Sequence, residues 1–109
     1  MYIKLSPQRS DKRLTLEKQN QTLIINGESF DFSELPEGAT LPRDAIVSDV
    51  ITSDVERIDG EIHLTVLLPH GANAPEETRF PEPISATEDG IIALPPYDIV
   101  VEEEFTENE

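Results

Sequence analysis

The chain has no cysteine and no tryptophan, and it is short of positive charge: 8 Lys+Arg stand against 23 Asp+Glu, a formal charge of −15 over 109 residues. Without Cys there can be no disulfide, no thiol catalysis and no Cys-ligated zinc or iron–sulfur centre. No run of about 18 apolar residues occurs, so no helix is expected to span a bilayer. The opening residues, MYIKLSPQRSDKR, lack the apolar core of an export signal, and a cytoplasmic location is expected. A chain this acidic repels polyphosphate, which disfavours direct nucleic-acid binding. His63 and His70 are the only histidines, too few for a typical zinc site, and no metal or cofactor is expected.

The charge that is present is unevenly placed. Residues 1–18 hold five bases and two acids, a net +3, whereas residues 98–109 hold six acids and no base. The residues between them carry −12. A basic first segment and an acidic remainder can attract one another within a chain or between chains, although charge of one sign mainly keeps a protein dispersed. The length suits one domain. Pro95-Pro96 divides it into an antiparallel β domain over residues 1–95 and an acidic C-terminal tail over 96–109, either flexible or docking on a partner.

The remainder reads as β structure. Asn26-Gly27, Asp59-Gly60 and Asp89-Gly90 are signals for two-residue type I′ turns, which need positive φ at both central positions. The first pairs Ile25 with Glu28 and Leu23 with Phe30, placing Leu23, Ile25, Phe30 and Phe32 on one face. The second pairs Arg57 with Ile62, Glu56 with His63, Ser53 with Val66 and Ile51 with Leu68. Ile62, Leu64, Val66 and Leu68 then share a face. The third is expected to join residues 84–88 to 91–94. Upstream, residues 13–18 return through Gln19-Asn20-Gln21, and residues 2–5 and 97–101 suit further strands. Residues 43–51 fit either a short helix near 42–50 or a strand, with strand favoured over 47–58. Nine prolines mark loops or edges, and Pro69, Pro75, Pro81 and Pro83 are read as filling one long connection. The expected fold class is all-β, mainly antiparallel: a small sandwich or open barrel of hairpins. A protein so rich in strand edges is expected to hide them by forming a homo-oligomer.

Reactive constellations are scarce. No serine sits in a nucleophile-elbow pattern, and no phosphate loop or dinucleotide fingerprint occurs. Paired carboxylates such as Asp54/Glu56 and Asp59/Glu61 read as a solvated face, with no sign of the apolar pocket that acid–base work requires. His63 reads as the cross-strand partner of Glu56, and His70 as a solvent-facing loop residue. No catalytic residue is expected. The candidate partner-binding residues are Pro75, Arg79 and Phe80 in the Pro-rich loop, and Ile99, Val101 and Phe105 in the tail. Long Pro-rich loops often serve interactions, and Phe105 is a lone aromatic in an acidic run.

Residues 5–9 (LSPQR), 25–42 (INGESFDFSELPEGATLP), 54–75 (DVERIDGEIHLTVLLPHGANAP) and 80–84 (FPEPI) occur together and in order. In this the chain resembles small acidic proteins encoded by tailed bacteriophages and prophages, over most of residues 1–95. The resemblance implies a place in the tail or tail-fibre gene region, and it carries no catalytic residues. The closing PPYDIVVEEEFTENE departs from the Pro/Glu-rich extension expected of that group. The function implied is a non-enzymatic structural or assembly accessory protein, in the host bacterial cytoplasm or on the virion. It would contact a phage tail component or another copy of itself. The alternative is an acidic DNA mimic that inhibits a host nucleic-acid-binding protein. The basic first segment counts against that alternative.

Overall fold

The computed structural model describes residues 1–98. Among them nine strands occur: β1 (Tyr2–Arg9), β2 (Leu16–Gln19), β3 (Thr22–Ile25), β4 (Glu28–Asp31), β5 (Thr40–Leu41), β6 (Val55–Ile58), β7 (Glu61–His70), β8 (Ile84–Ser85) and β9 (Gly90–Ile91). They form a five-stranded sheet in the order β5-β6-β7-β1-β8 and a four-stranded sheet in the order β4-β3-β2-β9. Apolar side chains of both sheets meet in one core. Ile3, Leu5, Val55, Ile62, Leu64, Val66 and Leu68 come from the first sheet, and Leu16, Leu23 and Ile25 from the second, with Phe32 and Ile51 beside them. The expected all-β, mainly antiparallel sandwich is what forms.

Two of the three turn dipeptides close hairpins in the expected register. Asn26 and Gly27 have φ of 50° and 85°, and Asp59 and Gly60 have 52° and 81°. Positive φ at both central positions is the type I′ signature, whose twist matches the flanking strands. Leu23 faces Phe30 and Ile25 faces Glu28 across the first turn, and Arg57 faces Ile62 and Glu56 faces His63 across the second. Leu23, Ile25 and Phe32 are buried and Phe30 half-buried, as alternation requires. Asn20 (φ 55°) opens the tight β2–β3 turn, in which Gln19 pairs with Thr22.

Asp89-Gly90 does not make a hairpin. β8 pairs with β1 in the larger sheet, whereas β9 pairs with β2 in the smaller one, so the dipeptide lies on a crossing between layers. Gly90 has φ 125°, outside the type I′ range, and Asp89 is not among the positive-φ residues. The Asp89 carboxylate is engaged instead by the Asn20 N–H (2.9 Å) and the Lys18 ammonium (3.1 Å). Those two contacts hold its carboxyl below the usual carboxylate range, the Asn20 N–H contributing most.

The segment before the central hairpin also differs. Arg43–Ala45 forms a single 3-10 turn, and strand pairing begins only at Val55, apart from an isolated bridge between Ile51 and Val66. The expected pairs Ser53–Val66 and Ile51–Leu68 are displaced by two residues. Ser53 explains the displacement: its Oγ accepts the Thr65 N–H at 2.9 Å, standing in for a backbone carbonyl. Thr52 then donates to the Thr65 carbonyl at 2.9 Å, and residues 53–54 bulge out. A shift of two keeps side-chain parity, so Ile51 and Val66 still point into the core.

β1 runs to Arg9 and pairs in parallel with β7 over eight positions, from Tyr2↔His63 to Arg9↔His70. Parallel neighbours need a crossover, and here it runs through β2, β3 and β4 of the smaller sheet and then β5 and β6 of the larger one. β7 extends through Pro69, a residue the sequence places in a loop. The Ser10 N–H donates to the His70 carbonyl at 3.0 Å, so alternation aims the nitrogens of Pro7 and Pro69 away from the β1–β7 seam. Neither missing donor therefore breaks the ladder. The rest of the Pro-rich connection includes one helical turn, α1 (Glu76–Arg79).

The loop over residues 32–39 is fastened to the β6–β7 hairpin from two sides. The Arg57 guanidinium donates to the carbonyls of Leu35 (2.5 Å), Phe32 (2.9 Å) and Gly60 (3.2 Å). In return Glu37 accepts the Asp59 and Gly60 N–H groups at 2.7 and 2.6 Å. No helix among the described residues is long and apolar enough to cross a membrane.

Candidate functional site

Pro75, Arg79 and Phe80 come together around α1. Pro75 precedes the helix with φ −70° and ψ 167°, and its carbonyl accepts the N–H groups of Thr78 (3.0 Å) and Arg79 (3.1 Å). A proline is well suited to the start of a helix, where its missing donor is not needed. Thr78 is fully buried, and its Oγ1 donates to the Pro96 carbonyl at 2.6 Å, which pins the turn to the chain beyond Pro95. Arg79 Nε donates to the Ala74 carbonyl at 3.2 Å, and its guanidinium lies 5.8 Å from the centre of the Phe80 ring. With Thr78 turned inward, Phe80 is left 69% exposed.

Phe80 borders a groove of about 370 Å³ whose other walls are Glu77, Glu82, Ile84, Ala93 and Pro95. Apolar surface lines most of it, and carboxylates stand at its rim. Ile84 belongs to β8, the outer strand of the larger sheet among the described residues, with β1 on one side only. A partner laid along this groove would meet an aromatic anchor and a strand edge together. Ile99, Val101 and Phe105, the other candidate contact residues, lie outside the described residues, as does most of the expected strand over 97–101.

A second depression, of about 360 Å³, crosses the outer face of the larger sheet and is lined by Tyr2, Lys4, Ser53, Asp54, Glu56, Ile58, His63 and Thr65, with Leu64. Register aligns Thr40, Glu56, His63, Tyr2 and Ser85 in one row across five strands. The Tyr2 and His63 rings have centroids 5.0 Å apart. His63 faces Glu56 as expected, yet the carboxylate near its Nε2 is that of Glu61, at 3.9 Å. The Ser53 hydroxyl is occupied twice over, accepting from Thr65 and donating to the Asp54 carbonyl at 2.8 Å. It is therefore not aimed at a base as a nucleophile would be. His70 is half-buried at the end of β7 rather than in a loop, with Nδ1 2.9 Å from the Gly71 carbonyl.

Sequence reasoning missed how closely residues 96–98 lie against the body. Besides the Thr78–Pro96 bond, the Gly71 N–H donates to the Tyr97 carbonyl at 2.9 Å, the Tyr97 hydroxyl donates to the Ser10 carbonyl, and the Asn73 N–H donates to Asp98 Oδ1 at 3.0 Å. The Arg13 guanidinium stacks 3.4 Å from the centre of the Tyr97 ring. Only the pairing of a basic first segment with an acidic last one hinted at this in the sequence. No family model, no curated protein and no solved structure matches the chain.

Proposed function

We propose that this chain is a non-enzymatic accessory protein of a tailed bacteriophage or prophage, acting by protein–protein contact in the tail module, in the host cytoplasm or on the virion. Phe80 carries the contact reading: a large aromatic, 69% exposed, at the mouth of an apolar groove beside an edge strand. Aromatic anchors in such positions supply much of the binding energy at interfaces. The phage setting rests on the resemblance of residues 5–9, 25–42, 54–75 and 80–84. The partner is a tail component or a second copy of the chain.

The test pairs a size measurement with capture of purified phage tail proteins. The wild-type chain is expected to self-associate or to retain a tail protein. Phe80→Asp is expected to weaken that contact by about 2 kcal/mol, roughly thirtyfold, the scale of burying most of a phenylalanine. Its far-UV spectrum and melting temperature should stay at wild-type values. A strictly monomeric protein that retains no tail component would refute the reading, as would retention indifferent to Phe80→Asp.

A further inference from the structure

Four strands lie at sheet edges among the described residues: β5 and β8 in the larger sheet, β4 and β9 in the smaller. Open edges invite pairing with other chains and are commonly blunted by charge or proline. β4 carries Glu28 and Asp31, β5 runs straight into Pro42, and β8 follows Pro81 and Pro83. β9 has no such guard. Residues 90–94, GIIAL, hold neither a charge nor a proline, and Ile91 is 86% exposed. The acid that precedes them, Asp89, is engaged by Lys18 and Asn20.

The backbone at this edge is open as well. The Ile92 N–H donates to the Leu16 carbonyl at 2.9 Å, and Ile91 lies opposite Glu17. Ladder bonds alternate along an antiparallel pair, so Gly90 and Ile92 face β2 while Ile91 turns its N–H and C=O outward. Among the described residues no backbone group pairs with these two, nor with the N–H and C=O of Ala93. Burial keeps the strand alternation beyond Ile91: Ile92 is buried, Ala93 is exposed, and Leu94 packs on the core. Ala93 also lines the groove beside Phe80, so the open edge and the aromatic anchor form one surface.

Charge selects the occupant. Glu77 and Glu82 stand exposed at the groove, Glu17 lies beside Ile91, and the chain as a whole carries −15. Arg79, the base next to Phe80, is tied to the Ala74 carbonyl. Open ladder groups call for an extended chain rather than a helix, and the acidic surround calls for positive charge on it. A second copy fits poorly, because pairing β9 with its own likeness would bring two molecules of charge −15 together along acidic surfaces.

We propose that residues 90–94 accept an added strand from another protein, an extended segment that alternates apolar with basic side chains and reaches the Phe80 groove. This rests on the contact reading above and goes beyond it, fixing the edge, the backbone mode and the charge of the partner; it does not need the phage setting.

The probe is a capped peptide of about ten residues, the upper length of an ordinary strand, alternating lysine with valine. A glutamate–valine peptide is its counterpart. Exchange of backbone amides with water is read by NMR in the full-length chain. The lysine peptide should slow exchange at Ile91 and Ala93 at least about tenfold as new ladder bonds form. Ile92, already bonded to Leu16, should not change, and the glutamate peptide should protect neither Ile91 nor Ala93. Ile91→Pro removes the outward donor and leaves the ladder positions Gly90 and Ile92 alone, so it should weaken binding of the lysine peptide about fivefold. If that variant does not fold, the wild-type exchange rates decide by themselves. Three results would overturn the proposal: no slowing at Ile91 and Ala93, equal slowing by both peptides, or slowing that grows with protein concentration in the absence of peptide, which would put a second copy on the edge. Any of these, with tail-protein retention still lost in Phe80→Asp, would strike the β9 edge and leave the contact reading standing. Slowing by the lysine peptide alone, in a monomer that retains no tail protein, would uphold the edge site and strike the tail partner.

Discussion

Replacing Arg57 with alanine should cost this fold more than any other single change at a charged residue. The guanidinium is half-buried and serves three carbonyls, two of them in part-buried surroundings at Leu35 and Phe32, and one at the exposed Gly60. Hydrogen bonds with a charged donor are worth about 1.5–3 kcal/mol each when sheltered, and far less when exposed. The loop over residues 32–39 lies at the surface, so water can reach part of what the arginine leaves behind. The expected loss is therefore about 2–3 kcal/mol, from a total of roughly 5–15 kcal/mol for a chain of this size. The melting temperature should fall by roughly 10–15 °C. Arg57→Lys can satisfy at most part of the set, because an ammonium lacks the planar fork, and should recover less than half of the loss. Urea unfolding followed by circular dichroism would give the free energies. The midpoint should drop with an unchanged slope, since the core is untouched. Glu37→Ala loosens the same loop from the other side. The two changes should cost less together than their sum, by about 0.5 kcal/mol or more. An Arg57→Ala protein within about 0.5 kcal/mol of wild type would refute the reasoning, as would strict additivity with Glu37→Ala.

Ser53→Ala leaves the Thr65 N–H without its acceptor and should cost about 1–2 kcal/mol, whereas Ser53→Thr should retain most of the stability, both read from denaturant midpoints. An alanine methyl at position 71 would collide with the Asp98 carboxylate, so Gly71→Ala should speed hydrogen exchange at Asn73 by pushing that carboxylate aside. Asp98→Ala should relieve the clash, so that adding Gly71→Ala to it changes little. Asp89 is an acid whose carboxyl is held below the usual range in the folded protein. Its stabilising effect is present above the ordinary carboxylate range and is lost as pH falls through the depressed value. The stability gap between wild type and Asp89→Asn should hold from neutral pH down to the ordinary carboxylate range, shrink progressively below it, and vanish once the pH is under the depressed value. A gap that grows on acidification would contradict this.

Local chemistry was legible where a turn and its strands are neighbours in the chain. Asn26-Gly27 and Asp59-Gly60 hold residues able to take positive φ, and alternation around them sorted core from surface through Leu23, Ile25, Ile62 and Leu64. Asp89-Gly90 has the same composition, but a tertiary contact outcompetes it: Asn20 and Lys18, some seventy positions away, engage the Asp89 side chain. The bulge at Ser53 was hidden because a hydroxyl replacing a ladder carbonyl leaves no mark in hydrophobic periodicity. Side-chain alternation says which face of β1 is buried but not which strand lies beside it, so its parallel pairing with β7 could not be read. At the candidate contact surface, Pro75, Arg79 and Phe80 were singled out by the proline density of their loop alone. Their convergence needed the inward turn of Thr78, a polar residue that pattern reading leaves at the surface.

The pairing of β1 with β7 sets an order of events during synthesis. Tyr2 leaves the ribosome well ahead of its neighbour His63, which is made 61 residues later. At roughly 5–20 residues per second, Ile3 and Leu5 wait about 3–12 s for the strand that shelters them. The hairpins of the smaller sheet can close within that interval from adjacent residues. The larger sheet cannot be completed until β7 has emerged, and maturation of the protein is paced by the arrival of its central strand.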